Sequence, residues 1–187
     1  MKNLLTFSLA IALLVGSLTL DSFAGPRPGE IDFGKFSNAG ADGKFVELNL
    51  KQGLISLAAS FVEDDQPEVA KLLRAVHLVR VNVVGVTEKN RAGLEKRMKE
   101  IRGQLDQEGW ERVVAVQEKN GEDVCICLKT RNDEALEGVV ITVIDGKKKE
   151  AVFVNLVGDI KPEQLTAVGK ALNIEPLAKA GAALEKK

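Results

Sequence analysis

The sequence predicts an α+β domain: a two-layer sandwich with a mostly antiparallel sheet and its helices on one face. Three observations predict it. Two turn dipeptides, Asn120-Gly121 and Asp145-Gly146, each divide a pair of β-rich runs, and both tolerate the positive φ that tight hairpins need. The four runs they organise follow one another directly, which is the pattern of a meander. Before them, residues 54–107 carry two helical stretches and a third, longer one around a single strand. The order is β-α-α-β-α-β-β-β-β-α.

Residues 25–44 are rich in Gly, Pro, Ser, Asn and Asp and have no apolar period, so they read as a flexible leader in which Phe33 and Phe36 dock locally. The domain runs from residue 45 to 174 and a tail from 175 to 187. Val46, Leu48 and Leu50 alternate with Glu47 and Asn49, the period of a half-buried strand. Leu54 to Val62 is apolar and Ala-rich and reads as a short buried helix. Asp65 is placed as an N-cap, with Pro67 in the first turn and Glu68 at capping-box spacing. Val69, Leu72, Leu73 and Val76 then form an inward stripe.

Leu78 to Val86 alternates as a strand. Glu88 to Gln107 is the longest helix, with Leu94, Met98, Ile101 and Leu105 inward and Gly109 closing it. Its outer face carries Glu95 and Lys99 in the favourable i,i+4 order. The remaining strands are Trp110–Glu118, Glu122–Thr130, Gly138–Ile144 and Glu150–Val157. A last helix runs from Pro162 to Leu172. The first two strands are joined across helices, which allows them to lie parallel.

Val139-Val140-Ile141 and Val152-Phe153-Val154 are apolar on both faces, so these strands sit centrally with both faces covered. If the helices occupy one face, the other meets the leader, the tail or another chain. The expected partner is therefore an unknown protein or a second copy, bound through the sheet face.

Compartment and composition narrow the function. Lys2, an apolar run from Leu4 to Leu20, and Ser22-Phe23-Ala24 together read as a signal peptide over residues 1–24, with cleavage between Ala24 and Gly25. Gly16, Ser17 and Thr19 interrupt the run, which argues against an uncleaved anchor. The expected location is periplasmic or secreted, with no membrane insertion after cleavage. Net charge is −1 and there is no Tyr. The chain thus offers neither a field to concentrate nucleic acid nor the usual base-stacking platforms, and no nucleic-acid partner is expected.

The stretch VIDGKKKEAVFVNLVGDI, followed by KPEQLTAVGKAL, resembles the closing motif of an exported bacterial family, domain of unknown function four-two-five-two. The matching features are Asp145-Gly146, Val157-Gly158-Asp159-Ile160 and Pro162-Glu163-Gln164-Leu165. FVELNLKQGLISLAASFV and VRVNVVGV fit as well, so the resemblance spans about Phe45 to Leu172. Lys161 stands where a capping Asp or Ser is expected, and Asp159 is the candidate to serve that helix start instead. The resemblance implies an exported protein without an assigned activity and a link to envelope signalling.

Chemistry-bearing residues are sparse. Cys125 and Cys127 lie at i and i+2 on one strand face, with Cα atoms about 6.6 Å apart, at the outer edge of disulfide geometry. They read as buried core thiols, as a distorted disulfide, or as two ligands for a soft ion such as Cu(I) or Zn(II). His77 has no preset Asp or Ser partner. No G-x-S-x-G, H-E-x-x-H or Walker loop occurs. Lys147-Lys148-Lys149 crowns a hairpin and reads as a solvated turn that protects a strand edge. An enzyme would have to use dispersed carboxylates such as Asp123 or Glu122 with Asp159.

The sequence therefore assigns no catalytic, cofactor-binding or metal residue. The expected function is a non-catalytic protein-binding module of the cell envelope. The alternative is a small-ligand or soft-metal carrier using Cys125 and Cys127.

Overall fold

A computed structural model describes residues 27–36, 44–118, 122–131 and 135–161, together with Gln164 and Thr166. The signal segment 1–24, the Asn120-Gly121 turn, the helix expected from Pro162 to Leu172 and the tail 175–187 lie outside the described residues.

Among the described residues nine elements follow in order: β1 (Phe45–Lys51), α1 (Gln52–Val62), α2 (Pro67–Ala75), β2 (Val76–Gly85), α3 (Arg91–Gln107), β3 (Glu111–Gln117), β4 (Asp123–Arg131), β5 (Ala135–Asp145) and β6 (Glu150–Ile160). The six strands form one sheet in the order β1-β2-β6-β5-β4-β3. Every neighbouring pair is antiparallel. The expected α+β class, antiparallel sheet and four-strand meander are all present, and the two-sided apolar strands β5 and β6 are central.

β1 and β2 are antiparallel rather than parallel. The chain leaves β1 at Lys51 and enters β2 at Val76, and Lys51 sits opposite Leu78 at the same end of the sheet. α1 and α2 form a helical hairpin that returns the chain to its starting point, so β2 must run back.

The helices occupy both faces, not one. On one face Ile55 of α1 and Leu72 of α2 pack with Val79, Ile126, Val139, Ile141, Val154 and Leu156. On the other, the α3 stripe Leu94, Met98, Ile101 and Leu105 packs with Cys125, Cys127, Val140 and Phe153. Strand residues alternate between the two clusters, as a pleat of period two requires, except at the register irregularities between Val76 and Leu78, Arg112 and Val114, and Leu136 and Gly138. α3 connects β2 to β3 on the far edge of the sheet, so it has to cross a face to get there.

Residues 27–36 are part of the core rather than a flexible leader. Ile31 is 1% and Phe33 2% exposed. Asn155, fully buried on β6, accepts the Ile31 N–H at 2.9 Å and donates to the Gly29 carbonyl at 2.9 Å. Arg80 donates to the Ile31 carbonyl at 2.8 Å and pairs with Glu30. Arg97 of α3 donates to the Phe33 carbonyl and lies over the Phe36 ring. Phe33 and Phe36 both contact Phe153, with ring centroids 5.9 and 4.7 Å away. Composition alone cannot show this, because the holding groups are on β2, α3 and β6.

Local signals were realised unevenly. Gly109 closes α3 at φ 75°. The start of α3 is stabilised by a reciprocal pair: the Thr87 N–H donates to Asn90 Oδ1 and the Asn90 N–H to Thr87 Oγ1, the capping-box geometry. Asp65 does not cap α2. The Gln66 N–H bonds the Val62 carbonyl, so the turn after α1 continues past Asp65, and Gln66 takes the capping position without a side-chain bond. Asp145-Gly146 does not form a two-residue turn. Asp145 Oδ1 accepts the N–H groups of Lys147 and Lys148, both at 2.9 Å, which widens the loop to residues 146–149 and puts Lys149 at φ 53°. On α3, Glu95 pairs with Arg91 and Glu100 with Lys96, rather than Glu95 with Lys99.

Candidate functional site

The face covered by α1 and α2 carries an incompletely covered apolar surface. Its outermost row crosses all six strands: Val46 pairs with Val83, Val83 with Val152, Val152 with Val143, Val143 with Val124 and Val124 with Val116. Val124 is buried, Val83, Val143 and Val152 are half-buried, and Val46 and Val116 at the two sheet edges are exposed. The next row inward begins at Leu48, which is also exposed.

α1 extends this surface. Ile55 and Ala59 turn inward and are buried. Leu54, Leu57 and Phe61 remain 59%, 54% and 78% exposed. They fall at i, i+3 and i+7, so they form one outward stripe along the helix. The helix expected to be buried is thus apolar all round but covered on one side, because it lies at the β1–β2 edge of the sheet. The spacing of Leu54, Leu57 and Phe61 was visible in the sequence. What it lacked was a reason to separate this stripe from Ile55 and Ala59.

On the opposite face, Cys125 and Cys127 sit beneath α3, 3% and 1% exposed. Their Sγ atoms are 3.6 Å apart and both thiols are free. The side chains therefore lean together although the strand holds their Cα atoms apart. The hydrogen bond from Cys127 holds the Cys125 thiol down to about 7, helped by the positive charges of Arg102 and Arg112 and opposed by burial. The same hydrogen bond, burial and the neighbouring thiolate push Cys127 up. Arg112 lies opposite Cys127 on β3, beside an irregularity in register between Arg112 and Val114.

A model of a domain of unknown function, DUF4252, matches residues 40–168. The chain belongs to this family. No curated protein and no solved structure matches. The match in this DUF4252 protein starts after residues 27–36, so the segment clamped by Asn155 and Arg80 lies outside it.

The remaining candidates in the DUF4252 domain do not converge. Asp123, at the start of β4, forms a two-pronged ion pair with Arg102. Asp159 pairs with Arg131 at 2.8 Å. The Lys161 N–H donates to Gln164 Oε1. In register Asp123 aligns through Ile144 with Ala151, eight strand residues from Asp159 and about 26 Å along the sheet. Those carboxylates, and Glu122 beside Asp123, cannot meet on one substrate atom.

His77 is half-buried at the β2 irregularity between Val76 and Leu78. Lys147, Lys148 and Lys149 are exposed on their loop. No cluster of three or more His, Cys, Asp or Glu able to hold a metal occurs among the described residues. A groove of about 640 Å³ between α3 and the β3–β4 end is lined by four basic and four acidic side chains, so it presents no net sign to an ionic ligand. No helix among the described residues is long and apolar enough to cross a membrane.

Proposed function

We propose that this DUF4252 protein is an exported, non-catalytic module of the bacterial cell envelope that works by binding another protein chain, in a signalling role. The observation that carries this is the outward stripe Leu54, Leu57 and Phe61 on α1, accompanied by the exposed Val46 and Leu48 on the preceding edge strand β1. Burying one such large side chain gains about 1.5–3 kcal/mol relative to leaving it in water. Contiguous patches of this kind on a folded surface mark contact sites. Export is supported by Lys2, the apolar run Leu4–Leu20 and Ser22-Phe23-Ala24.

The test is a photo-crosslinking residue at position 61, compared with one at Lys96 on the opposite face, in cells expressing the full chain. A discrete adduct from position 61 alone, lost on Leu57→Asp, is expected. No adduct, or equal adducts from both positions, would overturn the reading. Fractionation with N-terminal sequencing tests export. A mature chain beginning at Gly25 outside the cytoplasm is expected, and an unprocessed cytosolic chain would end that half of the proposal.

The geometry of Cys125 and Cys127 favours one second reading, a soft-metal carrier. Two thiols 3.6 Å apart on one strand face, screened from water by α3, suit a two-coordinate monovalent ion such as Cu(I). Anaerobic Cu(I) titration against a chromophoric chelator separates the readings: one tightly held ion per chain, lost on Cys125→Ser, supports the carrier, and no competition removes it.

A further inference from the structure

We infer that the chain occupying the α1 stripe is a second copy of this protein, packed across a two-fold axis with the two α1 helices antiparallel and the axis passing near Ala58. The inference rests on the reading of α1 as a protein-binding surface and specifies the partner.

The argument is self-complementarity. A two-fold contact brings the same patch together from both copies, so residue i meets a residue equally far on the other side of the axis. Centred near Ala58, antiparallel α1 helices place Leu54 against Phe61 of the partner subunit and Leu57 against the small, exposed Ala58 side of the partner helix. Leu54, Leu57 and Phe61 have the a-d-a spacing of a helix-helix seam. The small residue at the axis lets the helices approach.

The ends of the stripe carry opposite charge. Lys51, three residues before Leu54, is exposed and forms no ion pair among the described residues. Beyond Phe61 come Glu63, Asp64 and Asp65, all exposed. Glu63 is taken by Arg74 through two hydrogen bonds, of 2.7 and 2.5 Å. Asp64 and Asp65 have no ion pair among the described residues. The same antiparallel arrangement brings Lys51 of one copy to Asp64 and Asp65 of the other, twice per dimer. A parallel arrangement would put like charges together at both ends. The sign pattern therefore selects a second copy in one orientation, with apolar side chains in the middle and attraction at each end.

The α3 face offers no comparable surface: its apolar stripe is spent on the cysteines and Phe153, and its outer side alternates in sign. One isologous patch closes a dimer and goes no further.

The test uses the full chain purified from its natural export route. Multi-angle light scattering should give twice the chain mass. Ala58→Cys should cross-link to a dimer under mild oxidation, while Lys96→Cys should not. Lys51→Asp, an exposed change that leaves the core intact, should weaken association at least tenfold. Adding Asp64→Lys and Asp65→Lys to it should restore association to within about threefold of the original. A monomer at all accessible concentrations overturns the inference, as does failure of Ala58→Cys to cross-link or failure of the charge swap to rescue. If the crosslinker at position 61 captures only a different chain, self-association is overturned while the binding reading survives. If it captures nothing, both fall.

Discussion

Asn155 holds the backbone of Ile31 across 124 positions of sequence, accepting its N–H at 2.9 Å inside the core. The same amide donates to the Gly29 carbonyl and, at 3.3 Å, to the Val139 carbonyl of the neighbouring strand. One buried side chain thus fastens an early segment to the middle of the sheet. It is also a polar group whose burial is tolerable only because every arm is used.

Replacing Asn155 by Ala leaves the Ile31 N–H and the Gly29 carbonyl buried without that partner. Each such orphan costs about 1–3 kcal/mol, so a loss of about 2–6 kcal/mol is expected in urea unfolding. Cleavage by trypsin at Lys35, which precedes Phe36, should accelerate. An unchanged unfolding midpoint would mean that the segment is held by Phe33 and Ile31 packing alone.

Gly29 and Gly138 touch backbone to backbone. A Cβ on Gly29 would lie 2.1 Å from the Glu137 carbonyl oxygen, and Gly29 also has φ 82°. A Cβ on Gly138 would lie 2.6 Å from Gly29 Cα and from the Trp110 ring. Gly109 has φ 75° but open space around it. Gly109→Ala should therefore cost about 1–2 kcal/mol, the left-handed backbone penalty alone. Gly29→Ala should cost about 3 kcal/mol or more, since overpacking adds to it. Equal losses in thermal melts would refute the close approach.

The thiol pair makes stability depend on pH. Cys125 in the folded chain is held down to about 7, below the ordinary thiol value of about 8.5. A lowered acid contributes stability that is full above the unfolded value and is lost as pH falls through the folded one. Cys127 is raised, so above about 8.5 its ionisation in the unfolded chain favours unfolding. Stability should rise from pH 7 towards 8.5 and turn down beyond. Cys127→Ala removes the hydrogen bond that most lowers Cys125, leaving burial to raise it, and should abolish the rise. A flat profile for the unaltered chain, with no thiolate absorbance appearing near neutrality, would exclude the coupled pair.

Thr142 lies on β5 between Cys125 and Phe153 in register, 1% exposed, and its hydroxyl has no hydrogen-bond partner among the described residues. Thr142→Val keeps the shape and removes the unpaired group. A gain of about 1 kcal/mol is expected. A loss of that size in denaturant unfolding would show that the hydroxyl is satisfied.

Period-two alternation located β1 and β2, turn dipeptides between β-rich runs located the other four strands, and the 3.6-residue period of Leu94, Met98, Ile101 and Leu105 picked out the inward side of α3 residue by residue. Such patterns are legible because each residue's share of burial is set by its own element. The capping of α2 was not legible, because Asp65 loses to a turn that α1 continues. Nor was the Asp145 loop, where one carboxylate competes with the backbone for two N–H groups. The cysteine pair could be placed on one face from the sequence. The sulfur separation that makes it a coupled acid could not.

The sequence by itself determined the class of this protein, the identity of its central strands and its family, since these follow from local pattern and motif. Tertiary structure alone decided which sheet face each helix covers, that residues 27–36 belong to the core, and that Leu54, Leu57 and Phe61 stay in water. The reason is physical. Whether an apolar side chain is buried depends on what arrives from elsewhere in the chain, and a helix apolar on every side does not say which side will be met.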